Sequence, residues 1–186
     1  MNVIALVGLE TIKDQNGNVK FFADTFLDNI KTWHHDNPKK PIKIFDARNY
    51  KDTELPIQSI FKDISEYSKN GIDIFLYSGH SDPDALYIIS KVRKELEDKD
   101  RFITKDTDWS VLTFNKGAII KLMGCQAGGQ DNKKWPDCIA QTIADKTKTK
   151  VLAFTCKSSQ HQKNGGYYQI PDSGGYVEFT AIGVVK

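Results

Sequence analysis

Residues 72–80 read Ile72-Asp73-Ile74-Phe75-Leu76-Tyr77-Ser78-Gly79-His80, and residues 118–125 read Ala118-Ile119-Ile120-Lys121-Leu122-Met123-Gly124-Cys125. Both are apolar runs that end in a glycine followed by a side chain able to do chemistry. Three more runs, Val3–Val7, Ile42–Phe45 and Val151–Phe154, have the same texture. Each is short and rich in Ile, Val, Leu or Phe; a lone polar residue interrupts three of the five (Lys43, Asp73 and Lys121), and none alternates throughout. That is how a strand covered on both faces reads. Between the runs lie segments with helical spacing: Phe22, Phe26, Ile30 and Trp33; Ile57, Ile60, Phe61 and Ile64; Leu86, Ile89, Val92 and Leu96; Ile139, Ile143 and Ala144. Strands alternating with amphipathic helices require a parallel sheet with right-handed crossovers. The fold class is α/β.

The end of the chain breaks this rhythm. A polar, Gly-rich stretch, Lys157–Gly166, precedes Tyr167–Ile170, a Pro-Asp-Ser-Gly-Gly turn and Tyr176–Val185. Two β-rich runs around a Gly-containing loop predict a C-terminal antiparallel hairpin at the sheet edge. Asp98–Lys116, which carries Trp109, reads as irregular. The chain has 186 residues, enough for one domain spanning 1–186, with no repeat or linker. Lys and Arg number 26 against 24 Asp and Glu, and no basic block stands out, so nucleic acid is not an expected partner. No apolar stretch approaches the ~20 residues of a membrane span, and the start lacks a secretory signal. A cytoplasmic protein is expected; export by a leaderless route would leave the same pattern. The three cysteines, Cys125, Cys138 and Cys156, are odd in number and include no CxxC, which argues against a disulfide framework.

In an open parallel sheet, reactive groups gather at the carboxyl ends of the strands. His80 and Cys125 each follow such an end, and their strands are consecutive. Consecutive strands are usually neighbours about 4.8 Å apart, so the two side chains are expected to meet. A thiol beside an imidazole is a nucleophile–base pair, because the imidazole takes the proton and raises the thiolate fraction. Gly128-Gly129, just after Cys125, is expected to bring backbone N–H groups close to a developing oxyanion.

With Ser78-Gly79-His80 on one strand end and Lys121-Leu122-Met123-Gly124-Cys125-Gln126-Ala127-Gly128 on the next, the chain resembles the caspase-like (clan CD) cysteine peptidases. The likeness is nearest to the bacterial toxin self-processing and CHAT-like branch. It covers the order of elements from about Val3 to Phe154, and its shared letters are these two short motifs. The resemblance implies the caspase-like (haemoglobinase) fold, a doubly wound, mostly parallel sheet of five or six strands in the order 2-1-3-4-5. It implies a cysteine endopeptidase acting on peptides or proteins, with His80 as general base and Cys125 as nucleophile. The backbone N–H groups of Ser81 and Cys125 would form the oxyanion hole. No metal or other cofactor is implied. One position departs from the pattern: glycine usually follows the histidine, whereas here Ser81 places a side chain in the oxyanion loop.

Other readings compete. A cysteine at the end of an apolar strand is ordinarily a small buried hydrophobe, and Cys138 and Cys156 are read that way. His34-His35 suits the C-terminal end of a helix, and the chain has no HExxH or CxxC metal motif. Asp82-Pro83-Asp84 reads as the cap of the third helix. Asp82, Asp84, Gln126, Gly128 and Trp109 are candidate cleft residues, and Glu178 is a further acidic position that would suit a basic substrate group. Trp135, like Trp109, is a candidate wall of the cleft. An inactive caspase-like or flavodoxin-like binding module would share the winding. A Ser hydrolase using Ser81 would need glycine, not Pro83, two residues later.

Overall fold

The computed structural model describes residues 1–13, 19–22, 24–89, 96–163, 166–172 and 175–182. The apolar runs become the strands of the sheet, and the interior ones bury both faces. They are β1 (Val3–Val7), β2 (Ile42–Asp46), β3 (Ile72–Ser78), β4 (Phe114–Met123) and β5 (Lys150–Ala153). A short β6 (Val177–Phe179) follows. The six form one sheet in the order 2-1-3-4-5-6, in which β6 alone is antiparallel. All five residues of β1, an interior strand beside the edge, are buried.

Helices cover both faces. α1 (Asp24–Asp36) leads from β1 to β2, and its Asn29 amide donates to Ser78 Oγ at 3.1 Å. α2 (Pro56–Tyr67) leads from β2 to β3, with Ile57, Ile60, Phe61 and Ile64 buried. Phe61 and Phe75 both meet the Trp109 ring edge-on, at 5.1 and 5.8 Å. Phe75 and Ser78 lie on opposite sides of β3, because side chains alternate along a strand. α1 and α2 therefore sit on opposite faces, which is what reversing the winding between β1 and β3 requires. α3 (Ile139–Thr147) packs on β5. Among the described residues, no helix is long and apolar enough to cross a membrane.

Several expectations need correction. The third helix is absent where it was expected to start. Asp82 accepts from the N–H groups of Asp84 and Ala85, and Asp82 N–H donates to the Ala85 carbonyl. That closes a tight turn rather than capping a helix. Ala85–Tyr87 then pairs antiparallel with Phe102–Thr104. Leu86 and Ile89 are buried, and a spacing of three fits a strand and its exit as well as a helix. Val92 lies outside the described residues. The region 98–116 is only partly irregular: a helical turn at Asp98–Arg101 and the strand Phe102–Thr104 precede β4.

The C-terminal hairpin is also rearranged. Gly166–Pro171 pairs backwards with Ser158–Lys163, the stretch read as a polar loop, while β6 joins the main sheet beside β5. The antiparallel edge is thus present, but it is a single strand. Residues 173–174 and 183–185 of the predicted hairpin lie outside the described residues. Finally, Glu10–Lys13 and Val19–Phe22 form a ribbon that the sequence did not suggest, and it takes in Phe22, which was assigned to the first helical stripe.

At the opposite end of the sheet from the strand carboxyl ends, Asp73 accepts from the Asn115 amide at 3.0 Å and from the Asn2 backbone N–H. These bonds, the Asn115 one foremost, hold its carboxyl below the usual carboxylate range. A depressed folded-state value means stability that is present above the unfolded value of about 3.9 and is lost as pH falls through the folded one. Asp73→Asn should therefore flatten the acid limb of a stability-versus-pH curve. An unchanged acid limb would show that these bonds do not couple folding to protonation.

Candidate active site

Ser78 and Met123 are register partners at the ends of β3 and β4. His80 and Cys125 each lie two residues further on, so they leave adjacent parallel strands at the same level. The winding reverses next door, between β1 and β3, where such sheets place their ligand crevice.

The His80 segment is held by a buried frame. Tyr77 is fully buried, and its hydroxyl lies 2.5 Å from the His80 carbonyl and 2.9 Å from that of Tyr87. Burial raises the Tyr77 pKa far above that of an exposed phenol, so the hydroxyl stays a donor. Tyr87 N–H donates to the same His80 carbonyl at 2.9 Å. The imidazole meets the edge of Phe26 of α1 at 5.1 Å between ring centres. Ser81 and Leu86 face each other in the antiparallel ribbon, and the flanking bonds run from Asp82 to Ala85 and from Tyr87 to His80. That is the non-hydrogen-bonded type of pair, in which the Ser81 N–H points away from Leu86.

The Ser81 side chain turns down onto the neighbouring strand end. Its hydroxyl donates to the Cys125 carbonyl at 2.6 Å. A Cβ at position 124 would collide with Ser81 Oγ and approach the Gly79 carbonyl to 2.8 Å, so only glycine permits this seat. The hydroxyl that would serve a Ser hydrolase is thus engaged in joining two loops. Ser81 is buried, and its side chain occupies the floor between the loops.

Cys125 is partly exposed and Cys138 and Cys156 are buried; all three are free thiols. Burial pushes the Cys138 thiol up, in keeping with a packing role. The Cys125 sulfur lies 3.2 Å from Ser158 Oγ, 3.4 Å from the Ser158 backbone nitrogen and 3.8 Å from the Ser158 carbonyl oxygen. Gln126 adopts a left-handed conformation (φ 54°), which turns the chain sharply after the cysteine, and its N–H donates to the Cys156 carbonyl at 2.9 Å. Among the described residues, neither the Ser81 nor the Cys125 N–H donates to any partner.

The remaining cleft candidates divide. Gly128 and Gly129 are not oxyanion donors: their N–H groups bond the Phe154 and Gln126 carbonyls, and a Cβ at 128 would strike the Phe179 ring at 2.7 Å. Their small size serves packing. Asp82 closes its turn and accepts from Tyr87 Oη at 2.5 Å, which, after burial, helps push Tyr87 up to about 12. Asp84 pairs with Lys105 at 2.8 Å and Glu178 with Lys150 at 3.0 Å. Trp109 is not a cleft wall; it is 2% exposed amid Phe61, Phe75 and Phe114. Trp135 is exposed at the surface, its backbone N–H donating to the Gly128 carbonyl. His34 and His35 occupy the last turn of α1, as expected. His161 falls in a strand rather than a loop. No cluster of three or more His, Cys, Asp or Glu suited to a metal occurs among the described residues.

Sequence reasoning missed Phe26, Tyr77 and Ser158. Phe26 and Tyr77 look like any other apolar-face aromatics, and Ser158 lies in a polar stretch with no motif. No protein-family model matches the chain, and no curated protein matches it.

Proposed function

We propose that this chain is a cysteine endopeptidase of caspase-like fold, with Cys125 as nucleophile and His80 as general base. The observation that carries the reading is the β3–β4 register, which sends these two residues off adjacent strand ends at one level. The sulfur gives its proton to the imidazole and attacks the carbonyl carbon of a peptide bond. The oxyanion that forms is met by the Ser81 and Cys125 N–H groups, both without other partners among the described residues. The imidazole then protonates the departing amine, and water hydrolyses the thioester. The Ser81 hydroxyl, bound to the Cys125 carbonyl, ties the two oxyanion-forming loops together. This answers the departure from glycine at that position, because the side chain points to the neighbouring loop. No cofactor takes part in these steps, and a reducing compartment would keep the thiol available.

The test is the pH dependence of alkylation at Cys125 in the parent chain and in His80→Ala. The parent thiol should react with an apparent pKa clearly below the free-cysteine value of about 8.5, and the variant should return towards it. Values near 8.5 in both proteins would sink the dyad.

A further inference from the structure

The Cys125 sulfur has a neighbour that the dyad does not use. Ser158 opens the ribbon Ser158–Lys163/Gly166–Pro171, and that ribbon packs on α1. α1 also carries Phe26, which meets the His80 ring. One helix therefore backs the imidazole and seats the ribbon that brings Ser158 to the thiol. The Ser158 backbone N–H donates to the sulfur at 3.4 Å, and its hydroxyl oxygen stands 3.2 Å away. A hydroxyl can reverse its role by rotating. Against a thiol it accepts the S–H; against a thiolate it donates.

We propose that Ser158 is a positioning residue for the Cys125 thiolate, its hydroxyl and backbone N–H together holding the sulfur as an anion aimed out of the strand end. This rests on the reading of Cys125 as nucleophile. Two donors on one sulfur favour its charged form, and hydrogen bonds to a charged group are worth more than neutral ones. They also fix the direction of the sulfur lone pairs before substrate arrives, which a mobile thiol side chain does not do for itself. Among titratable groups, Tyr77 interacts electrostatically with Cys125, Cys156 and Lys157 precede Ser158 in the chain, and His80 leaves the adjacent strand end at the level of Cys125. Of these, His80 is the proton acceptor in the dyad, Tyr77 is protonated and Cys156 is buried. The Ser158 donors therefore act beside the imidazole rather than in place of it.

Ser158→Ala and Ser158→Thr separate the hydroxyl from the rest of the ribbon. The readouts are alkylation rate at Cys125 against pH and the ultraviolet absorbance of its thiolate, with Cys138 and Cys156 replaced by alanine in every protein. Ser158→Ala should raise the apparent thiol pKa and slow alkylation at neutral pH by about tenfold. Ser158→Thr, which keeps a hydroxyl, should recover most of the parent rate. If Ser158→Ala leaves both readouts unchanged while His80→Ala raises the pKa, the positioning role is overturned and the dyad stands. If Ser158→Ala raises it and His80→Ala does not, the dyad reading fails and the Ser158 contact survives. Should Ser158→Ala slow alkylation at every pH, including pH high enough to ionise the thiol fully, and Ser158→Thr not recover, then a disturbed ribbon is the cause and the proposal falls.

Discussion

Cys125→Ala should abolish peptide cleavage while leaving the thermal midpoint almost where it was. Removing a catalytic nucleophile ordinarily costs at least about 10³-fold, because binding and oxyanion contacts alone recover only a small part of the rate. The structural loss is slight by comparison. Cys125 is partly exposed, and its sulfur bonds only Ser158 among the described residues. A change of about 1 kcal/mol or less is expected, worth roughly 2–4 °C in a domain of this size. Candidate peptides spanning basic, acidic and apolar residues before the cut, together with the chain itself as substrate, form the assay panel. Cleavage that persists in the alanine variant would remove Cys125 from the chemistry. A collapse of the midpoint would mean instead that the residue is a structural member of the sheet end.

Trp109→Ala should behave in the opposite way. The indole is buried among Phe61 from α2, Phe75 from β3 and Phe114 from β4, and so it joins a helix to two strands on one face. Truncating a large buried aromatic leaves a cavity and costs about 3–5 kcal/mol. Domains are stable by only about 5–15 kcal/mol, so this is a large share of the total. Chemical denaturation should show a much lower midpoint with an unchanged slope. Below the new transition, the reactivity of Cys125 should be that of the parent, because the ring lies under the sheet and not at its carboxyl end. Altered thiol reactivity with intact stability would restore Trp109 to the cleft.

The sheet was legible because its interior strands are buried on two faces. A run such as Ile74–Tyr77 has little choice but to be apolar, and that texture survives without any knowledge of neighbours. The third helix failed for the complementary reason: Leu86 and Ile89 are buried in a small antiparallel ribbon whose partner, Phe102–Thr104, is distant in sequence. A spacing of three residues does not distinguish the two outcomes, and the Asp82 turn that decides between them is a matter of local hydrogen bonds. The tail was misread similarly, since Ser158–Lys163 forms a strand through pairing and not through apolar content. At the candidate site, His80 and Cys125 could be read because they sit where strands end. Gly128 was assigned to the cleft because a glycine needed for packing against Phe179 spells the same letter as one needed beside a substrate. Ser158 left no trace at all; its role arises only when the ribbon folds back onto α1.

The β3–β4 register also has a temporal side. His80 and Cys125 are far apart along the chain and reach one level only across a parallel pair, whose two members must be joined by a long crossover. Such non-local pairings close late, because the loop entropy is lost before the contacts form. A chain still emerging from synthesis, or one with β4 peeled away, holds an ordinary imidazole and an ordinary thiol with nothing between them. The proposed dyad therefore comes into being only with the finished sheet, and the order of strand pairing itself delays it.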